Sequence, residues 1–375
     1  MQTVNIIGGG IGGLALANAL QRVNIDFKIF EQAPQLTEVG AAISISKAAL
    51  DILESFGLRE QVKKAGYETM NFSIADKNLK NITSTSTESP VTIIHRAKLI
   101  DILVAKLPKE QIRLNSKLTS IRNETDFSEL HFADGLTLRS GCTAIAEGIH
   151  SVSRTLIFPA IRIRYAGQTI WRGITTVHVP EQYRHTYTEM WSNKKRFLFV
   201  PMDSSTMFWL AVKDSVPGGV DNPATVRQEL IEEFRDFHPF VKELLINSAN
   251  FIRSDIADLG NAKRKWFKDK VVFIGDAIHA TTPNLAQGGC QAIEDAYCLS
   301  LLMKKCKHDF SETFPAYQNL RERKVSMIVN TSWRFGKMAH HPVLSGVAKF
   351  FLKHLPSGSA RSLEKKLNDL SYLDP

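Results

Sequence analysis

Two spacings alternate along the chain and mark out its elements: short apolar runs that read as strands, and apolar positions recurring every three to four residues that read as helices. Residues Val4–Ile7 form a strand-like run, residues 14–22 a helical one, and residues 26–30 a second strand that ends at Glu31. Residues 112–146 read as a series of short strands, with an Asp134-Gly135 hairpin signal between Phe132 and Leu136. Residues 162–212 are rich in aromatic and β-branched side chains and read as antiparallel strands. A helix is expected over 225–245 and a returning strand over 251–258. Residues 271–274 form a buried strand, followed by Gly275-Asp276, a loop carrying His279 and Pro283, and a glycine pair, Gly288-Gly289, that opens another helix. From residue 315 the chain reads as mostly helical, and residues 83–89 as a Ser/Thr-rich loop. No internal repeat interrupts this order.

Composition narrows the class. With 375 residues and 43% hydrophobic content, the chain can bury one large core or two. It has no uncharged apolar run of membrane-spanning length. Residues 343–355 are apolar in part but broken by Lys349, Lys353 and His354, which predicts an amphipathic helix lying on the body. A chain that opens directly on a strand has no signal-peptide layout, so a cytoplasmic protein without stable membrane insertion is expected. The net charge of +9 is scattered in short runs rather than gathered on one face, which argues against nucleic acid and suits a protein that holds diphosphates. The four cysteines form no CxxC pair and have no zinc spacing, so they are read as reduced thiols, and no metal site is expected.

The candidate chemistry begins at the first turn. Gly8-x-Gly10-x-x-Gly13 follows a strand and opens a helix. Gly8 permits the turn, Gly10 lets a pyrophosphate approach the backbone, and Gly13 lets the helix lie against the strand. Free N–H groups at the helix start attract the phosphates. Glu31 stands at the end of the next strand, where an acid accepts hydrogen bonds from ribose hydroxyls. Its charge would repel a 2′-phosphate, so the turn suits FAD or NAD better than NADP. Far along the chain, Asp276 at the carboxyl end of a strand is placed to hold a polyol, and the helix opened by Gly288 and Gly289 to direct its positive end at a flavin. There is no second GxGxxG, which disfavours enzymes with two dinucleotide domains.

On these residues the sequence resembles the group A flavin-dependent monooxygenases of the aromatic-hydroxylase type. The resemblance rests on the first turn together with Gly275, Asp276, Ala277, His279, Pro283, Gly288, Gly289 and the acidic pair Glu294-Asp295. It implies a mixed α/β fold: a Rossmann-like FAD-binding domain (1–70, 93–160 and 268–335), interleaved with an antiparallel-sheet substrate domain (71–92 and 161–267), then a C-terminal helical segment (336–375). It also implies that Asp276 binds the ribityl chain, that Gly40, Ala41 and Ala42 lie beside the flavin ring, that Arg96 reaches FAD, and that the backbone of Leu118 meets the adenine. His279 is read as a loop brace rather than a catalytic group. Glu147 stands where the family has Asp, in Ala146-Glu147-Gly148, and Lys47 where it often has Asn. The implied reaction uses NADPH or NADH and dioxygen to place one oxygen on a small planar, aromatic substrate; a reductase of a C=C bond, or a flavin-binding sensor without turnover, stands as the alternative. Arg172, Trp191, Arg196, Phe199 and Phe208 are candidates for the substrate pocket, with the aromatic-rich sheet from Trp171 to Trp209 expected to face the flavin. No acid–base residue is fixed, and a monomer or homodimer is expected.

Overall fold

The computed structural model describes residues 3–36, 41–260, 264–340 and 357–373. Gly40 and the segment 343–355 lie outside the described residues. The first strand, Val4–Ile7, sits inside a six-stranded sheet in the order Phe267–Lys268, Val271–Phe273, Thr143–Ile145, Val4–Ile7, Phe27–Phe30 and Ile112–Arg113. Every pairing in it is parallel except the outermost, between Phe267–Lys268 and Val271–Phe273. Both faces are covered by helices, which is why these strands read as near-continuous apolar runs. Helix Ile11–Arg22 begins three residues earlier than its apolar spacing indicates, at the glycine turn itself. Its close approach needs Gly13: a Cβ there would stand 1.9 Å from the Gly8 carbonyl oxygen.

The second sheet has eight strands, in the order Ile252–Asp258, Arg164–Thr176, Thr206–Asp214, Lys195–Pro201, Thr186–Ser192, Tyr67–Asp76, Asn81–His95 and Ala42–Ile45. All pairings are antiparallel except Thr186–Ser192 with Tyr67–Asp76, which joins two distant parts of the chain in parallel. The Ser/Thr-rich stretch 83–89 is therefore strand, not loop: it extends the ribbon Asn81–His95, its hydroxyls on a solvated surface. The helix expected over 225–245 is two helices, Val226–Glu233 and Pro239–Ile246. Pro239 lacks the N–H a continuous helix needs, so it starts a new one, and His238 caps it by accepting from the Phe240 N–H.

These two helices close one face of the large sheet. Phe197, Phe199, Met207, Trp209, Ala211 and Trp171 point toward them and form a core with Phe234, Phe240 and Leu244. Trp209 lies over Gly173, where a Cβ would stand 2.4 Å from the ring, and its indole N–H donates to Ser248 Oγ at 2.7 Å. The opposite, inner face carries Ile170, Arg172, Ile174, Glu189, Arg196, Leu198, Val200, Phe208 and Leu210. Pro283 and Asn284, from the loop that follows strand Val271–Phe273, pack on this inner face. The remaining three strands, Leu118–Asn123, Ser128–Phe132 and Thr137–Ser140, make a small antiparallel sheet. Helix Phe310–His340 runs against helix Gly288–Lys305 and reaches the large sheet at Trp191 and Ala339.

Gly13→Ala is expected to lower stability by about 1–3 kcal/mol, the scale of an overpacked contact, because neither backbone can retreat. Urea unfolding of the purified variant measures it; a midpoint equal to wild type would refute the close packing.

Candidate functional site

The carboxyl ends of the parallel strands open on a cleft of about 350 Å³, lined by residues from four distant parts of the chain. Gly8 and Gly10 come from the first turn, Glu31 from the end of the second strand, Arg96 and Leu118 from the middle of the chain, and Asp276, Gly288 and Gly289 from the later loop. This is where open α/β sheets bind ligands. Gly8 adopts φ 110°, and a Cβ on it would stand 2.5 Å from the Ala146 carbonyl oxygen, so the turn requires glycine twice over. Two helix N-termini lie at the cleft, Ile11–Arg22 and Gly288–Lys305, and no side chain caps either. Their free N–H groups are therefore available to an anionic ligand.

Two acidic side chains of the lining are held from behind. Glu31 accepts from the Gly9 N–H at 2.5 Å and from the Ala33 N–H at 2.8 Å, which ties the second strand to the glycine turn. Glu147 accepts from Ser151 Oγ at 2.6 Å and from the Ser153 N–H at 3.0 Å, so the longer acid reaches the start of helix Val152–Ile157. Arg154, in the same segment, is buried and donates to the Ala277 carbonyl at 2.9 Å. Burial pushes the Arg96 guanidinium below its usual range, and the Asp276 carboxylate opposes the shift. Asp276 is exposed to the cleft, and desolvation by the cleft walls raises its carboxyl pKa, against the pull of His279 and Arg96.

Behind Asp276 lies a buried charge network that sequence reasoning found only in part. Asp295 Oδ2 accepts from His279 Nε2 at 2.5 Å and from the Gly275 N–H at 2.8 Å. Its other oxygen accepts from Arg321 Nε at 2.7 Å. Arg321 also donates to Glu294 at 2.8 Å, and Lys324 closes the set on Glu294 at 2.8 Å. His279 thus braces the loop, as its sequence context implies. Burial works against the Asp295 charge, but His279 and Arg321 outweigh it and hold the carboxyl down to about 2. Arg321 had no signal in the sequence beyond its place among basic residues on a helix.

Other expected residues fall outside the cleft. Gly13 packs beneath the turn rather than lining it. Ala41, just before the edge strand Ala42–Ile45, is buried with Ile93, Val200 and Phe208 of the large sheet, and Ala42 packs against that cluster. Lys47 pairs with Asp51 on its own helix. Pro283 lines a second, much smaller cavity of about 20 Å³ with Arg196, Glu189, Tyr187, Leu198 and Leu210. Arg196 is buried there, donating to Glu189 at 2.9 Å and to Asn284 Oδ1 at 2.7 Å. Arg172 shares this inner face and donates to Ser254. Its pKa is lowered by burial and by the charge of Arg96. Phe208 also faces inward. Phe199 does not: its ring packs edge-on against Tyr183 and Phe240 on the far face. Trp191 is fully buried under Phe335 of the long helix. The expectation that the aromatic-rich strands face the flavin is thus corrected for Trp171, Phe199 and Trp209, which belong to the helix-backed core.

Comparison with known proteins agrees with this geometry. Residues 1–330 match the FAD binding domain family, and the chain belongs to it. The chain is an FAD-dependent monooxygenase, an oxidoreductase. It is 35% identical to the aurachin C monooxygenase/isomerase of Stigmatella aurantiaca over 90% of this chain and 89% of that protein. It is 27% identical to the 2-heptyl-3-hydroxy-4(1H)-quinolone synthase of Pseudomonas aeruginosa over 97% of each. In fold it is similar to Klebsiella pneumoniae HpxO complexed with FAD and uric acid, with a TM-score of 0.88 at 22% identity, over 98% of this chain and 96% of that one. Among the described residues no helix is long and apolar enough to cross a membrane.

Arg321→Ala is expected to cost about 3–5 kcal/mol of stability, because it leaves Glu294 and Asp295 buried without their main counter-charge. The depressed Asp295 pKa adds stability that is complete above the usual carboxylate value of 3.8 and is lost as pH falls from there to about 2. Denaturant titrations of wild type and variant between neutral and acid pH test both statements; equal midpoints at neutral pH would refute the first.

Proposed function

We propose that this protein uses reduced pyridine nucleotide and dioxygen to hydroxylate a planar heteroaromatic ring of the 4-quinolone type. The observation that carries the reading is the convergence of Gly8, Gly10, Glu31, Arg96 and Asp276 on one cleft beside the inner face of the large sheet. The substrate class is taken from the relative named for a quinolone, whose identity to this chain extends over 97% of each protein.

The residues present fit FAD. The bare glycine turn and the uncapped start of helix Ile11–Arg22 would receive the pyrophosphate, Glu31 the adenosine ribose, and the Leu118 backbone the adenine. Asp276 would accept from the ribityl hydroxyls, with Arg96 beside it. The start of helix Gly288–Lys305 would lie by the ring, and Ile43 lines the same cleft. Bound FAD supplies the redox chemistry: it takes electrons from the nucleotide and activates oxygen.

The chain's own part is to orient the substrate and exclude water. Leu198, Val200, Phe208 and Leu210 give the inner face an apolar wall, which stacks a flat ring and keeps the reacting space dry. Arg196, fixed by Glu189 and Asn284, presents a rigid guanidinium to a ring carbonyl, and its planar fork of donors suits that acceptor. No side chain is assigned as acid or base, so the substrate's own ring nitrogen and carbonyl would activate the carbon that is attacked. The reductant is proposed to be NADH or NADPH. The working unit is proposed to be a cytoplasmic monomer or homodimer.

Purified protein should be yellow, and Asp276→Ala should weaken FAD binding by about 1–3 kcal/mol, the scale of lost hydrogen bonds to a charged group. With a 2-alkyl-4-quinolone and NADH or NADPH, nucleotide oxidation should accelerate, and one atom of labelled dioxygen should appear in the product. A product carrying two added hydrogens and no label would establish a reductase instead.

A further inference from the structure

The cavity beneath Pro283 and Arg196 has a volume of only about 20 Å³. A much larger groove, of about 910 Å³, runs along the outer edge of the same sheet and has no role in the reading above. It is bounded by the edge strand Ile252–Asp258, by a loop carrying Gly219, Val220 and Pro223, and by His95 at the end of strand Asn81–His95. Two points join this groove to the reaction site. Ser254 in the groove is the cross-strand partner of Ile170, which lines the small cavity. His95 in the groove precedes Arg96, which lines the flavin cleft. An unbroken row of partners also crosses the sheet on its inner face: Ile252 with Arg172, Arg172 with Leu210, Leu210 with Leu198, and Leu198 with Glu189. The row ends at Ile252, which lines the groove.

The lining tells which part of a ligand the groove accepts. Its charged groups are already engaged with the protein. Asp221 accepts from Arg253 at 2.9 Å and from the Trp171 indole at 2.8 Å. Asp255 accepts from Thr169 Oγ1 at 3.2 Å and from the Gly218 N–H at 2.7 Å. Ser254 accepts from Arg172. What remains for a ligand is the exposed Val220, Pro223 and Ala249 and the half-buried Phe251 and Ile252, with Asn250 as a polar neighbour; Val226 is already packed in the helix-backed core. Val220 is 92% exposed. A nucleotide's phosphates would find no unengaged cation among these residues, whereas an aliphatic chain would find five apolar contacts.

We propose that the sheet-edge groove is a second subsite, which takes the flexible aliphatic chain of the substrate while the ring sits at Arg196. The proposal rests on the quinolone reading above; one relative is named for a ring that bears a heptyl chain. Under it, the ring position is set by Arg196 and the inner-face wall, and selectivity for chain length by the loop that carries Val220 and Pro223. The loop also becomes the place where substrates of different length are told apart.

The test is a chain-length series on the FAD-loaded enzyme. With 2-alkyl-4-quinolones from methyl to undecyl, KM of the wild type should fall about fourfold per added methylene until the groove is full, the increment for burying one CH₂. Val220→Glu with Pro223→Asp, both on the exposed loop, should flatten that slope and leave kcat for the methyl compound unchanged; Val220→Leu should keep the slope. The quinolone reading is tested separately by turnover of the methyl compound. If no quinolone is turned over, calorimetric titration with 1-alkanols from hexanol to dodecanol reads the groove directly, and affinity should rise with length in wild type but not in the double variant. Equal slopes in wild type and variant would overturn the proposal. So would a double variant that raises KM for NADH or NADPH and leaves the chain-length slope intact, which would give the groove to the nucleotide.

Discussion

Glu294 and Asp295 are adjacent, fully buried carboxylates, and the architecture around the cleft follows from the need to neutralise them. Arg321 reaches both from the long C-terminal helix, Lys324 adds a second cation to Glu294, and His279 approaches Asp295 from the loop. Each component depends on the others, since any one removed leaves a buried charge exposed to no solvent. Because one oxygen of Asp295 also accepts from the Gly275 N–H, the network fixes the residue just before Asp276. A buried ion network gains little over apolar packing in net stability, so we read its value as positional. It sets where the loop stands between the parallel sheet and the inner face of the large one.

Most of the cleft was legible in the sequence because its requirements are local. A left-handed turn needs glycine at position 8, and an unhindered helix–strand approach needs it at position 13; a strand end followed by an acid fixes Glu31. The large sheet was legible as strands but not as faces. RFLFVPM carries no polar alternation because both sides are buried, one by helices and one by Ala41, Ile93 and the loop at Pro283, so period two gave no direction. Phe199 and Phe208 looked alike and point to opposite sides. The break at Pro239 was available in the sequence, since proline opens a helix more readily than it continues one. Arg321 was not, because its partners lie about 26 residues away on another helix and nothing local distinguishes it from a surface arginine.

The two faces of the large sheet divide the labour. Stacked rings and the buried Trp209 indole fill the outer face and leave it no freedom, while the inner face keeps guanidiniums, a carboxylate and aliphatic side chains at measured positions. An inner-face group such as Arg196 therefore gains its orientation from both its own hydrogen bonds and the rigid strand beneath it.

The ribbon Asn81–His95 also bears on how the chain folds. Its neighbour Tyr67–Asp76 must wait for Thr186–Ser192, synthesised more than a hundred residues later, before its second edge is paired. Among the described residues the far edge of the ribbon, over residues 83–89, has no strand partner; there the N–H groups of Glu88 and Ser89 are met by Glu364. A half-made sheet with two open edges is a template for aggregation. The run of serines and threonines, closed by Glu88 and Pro90, keeps that edge wet and unattractive to other strands. The same composition that hides the strand from a reading of the sequence thus protects the nascent protein until its last helix arrives.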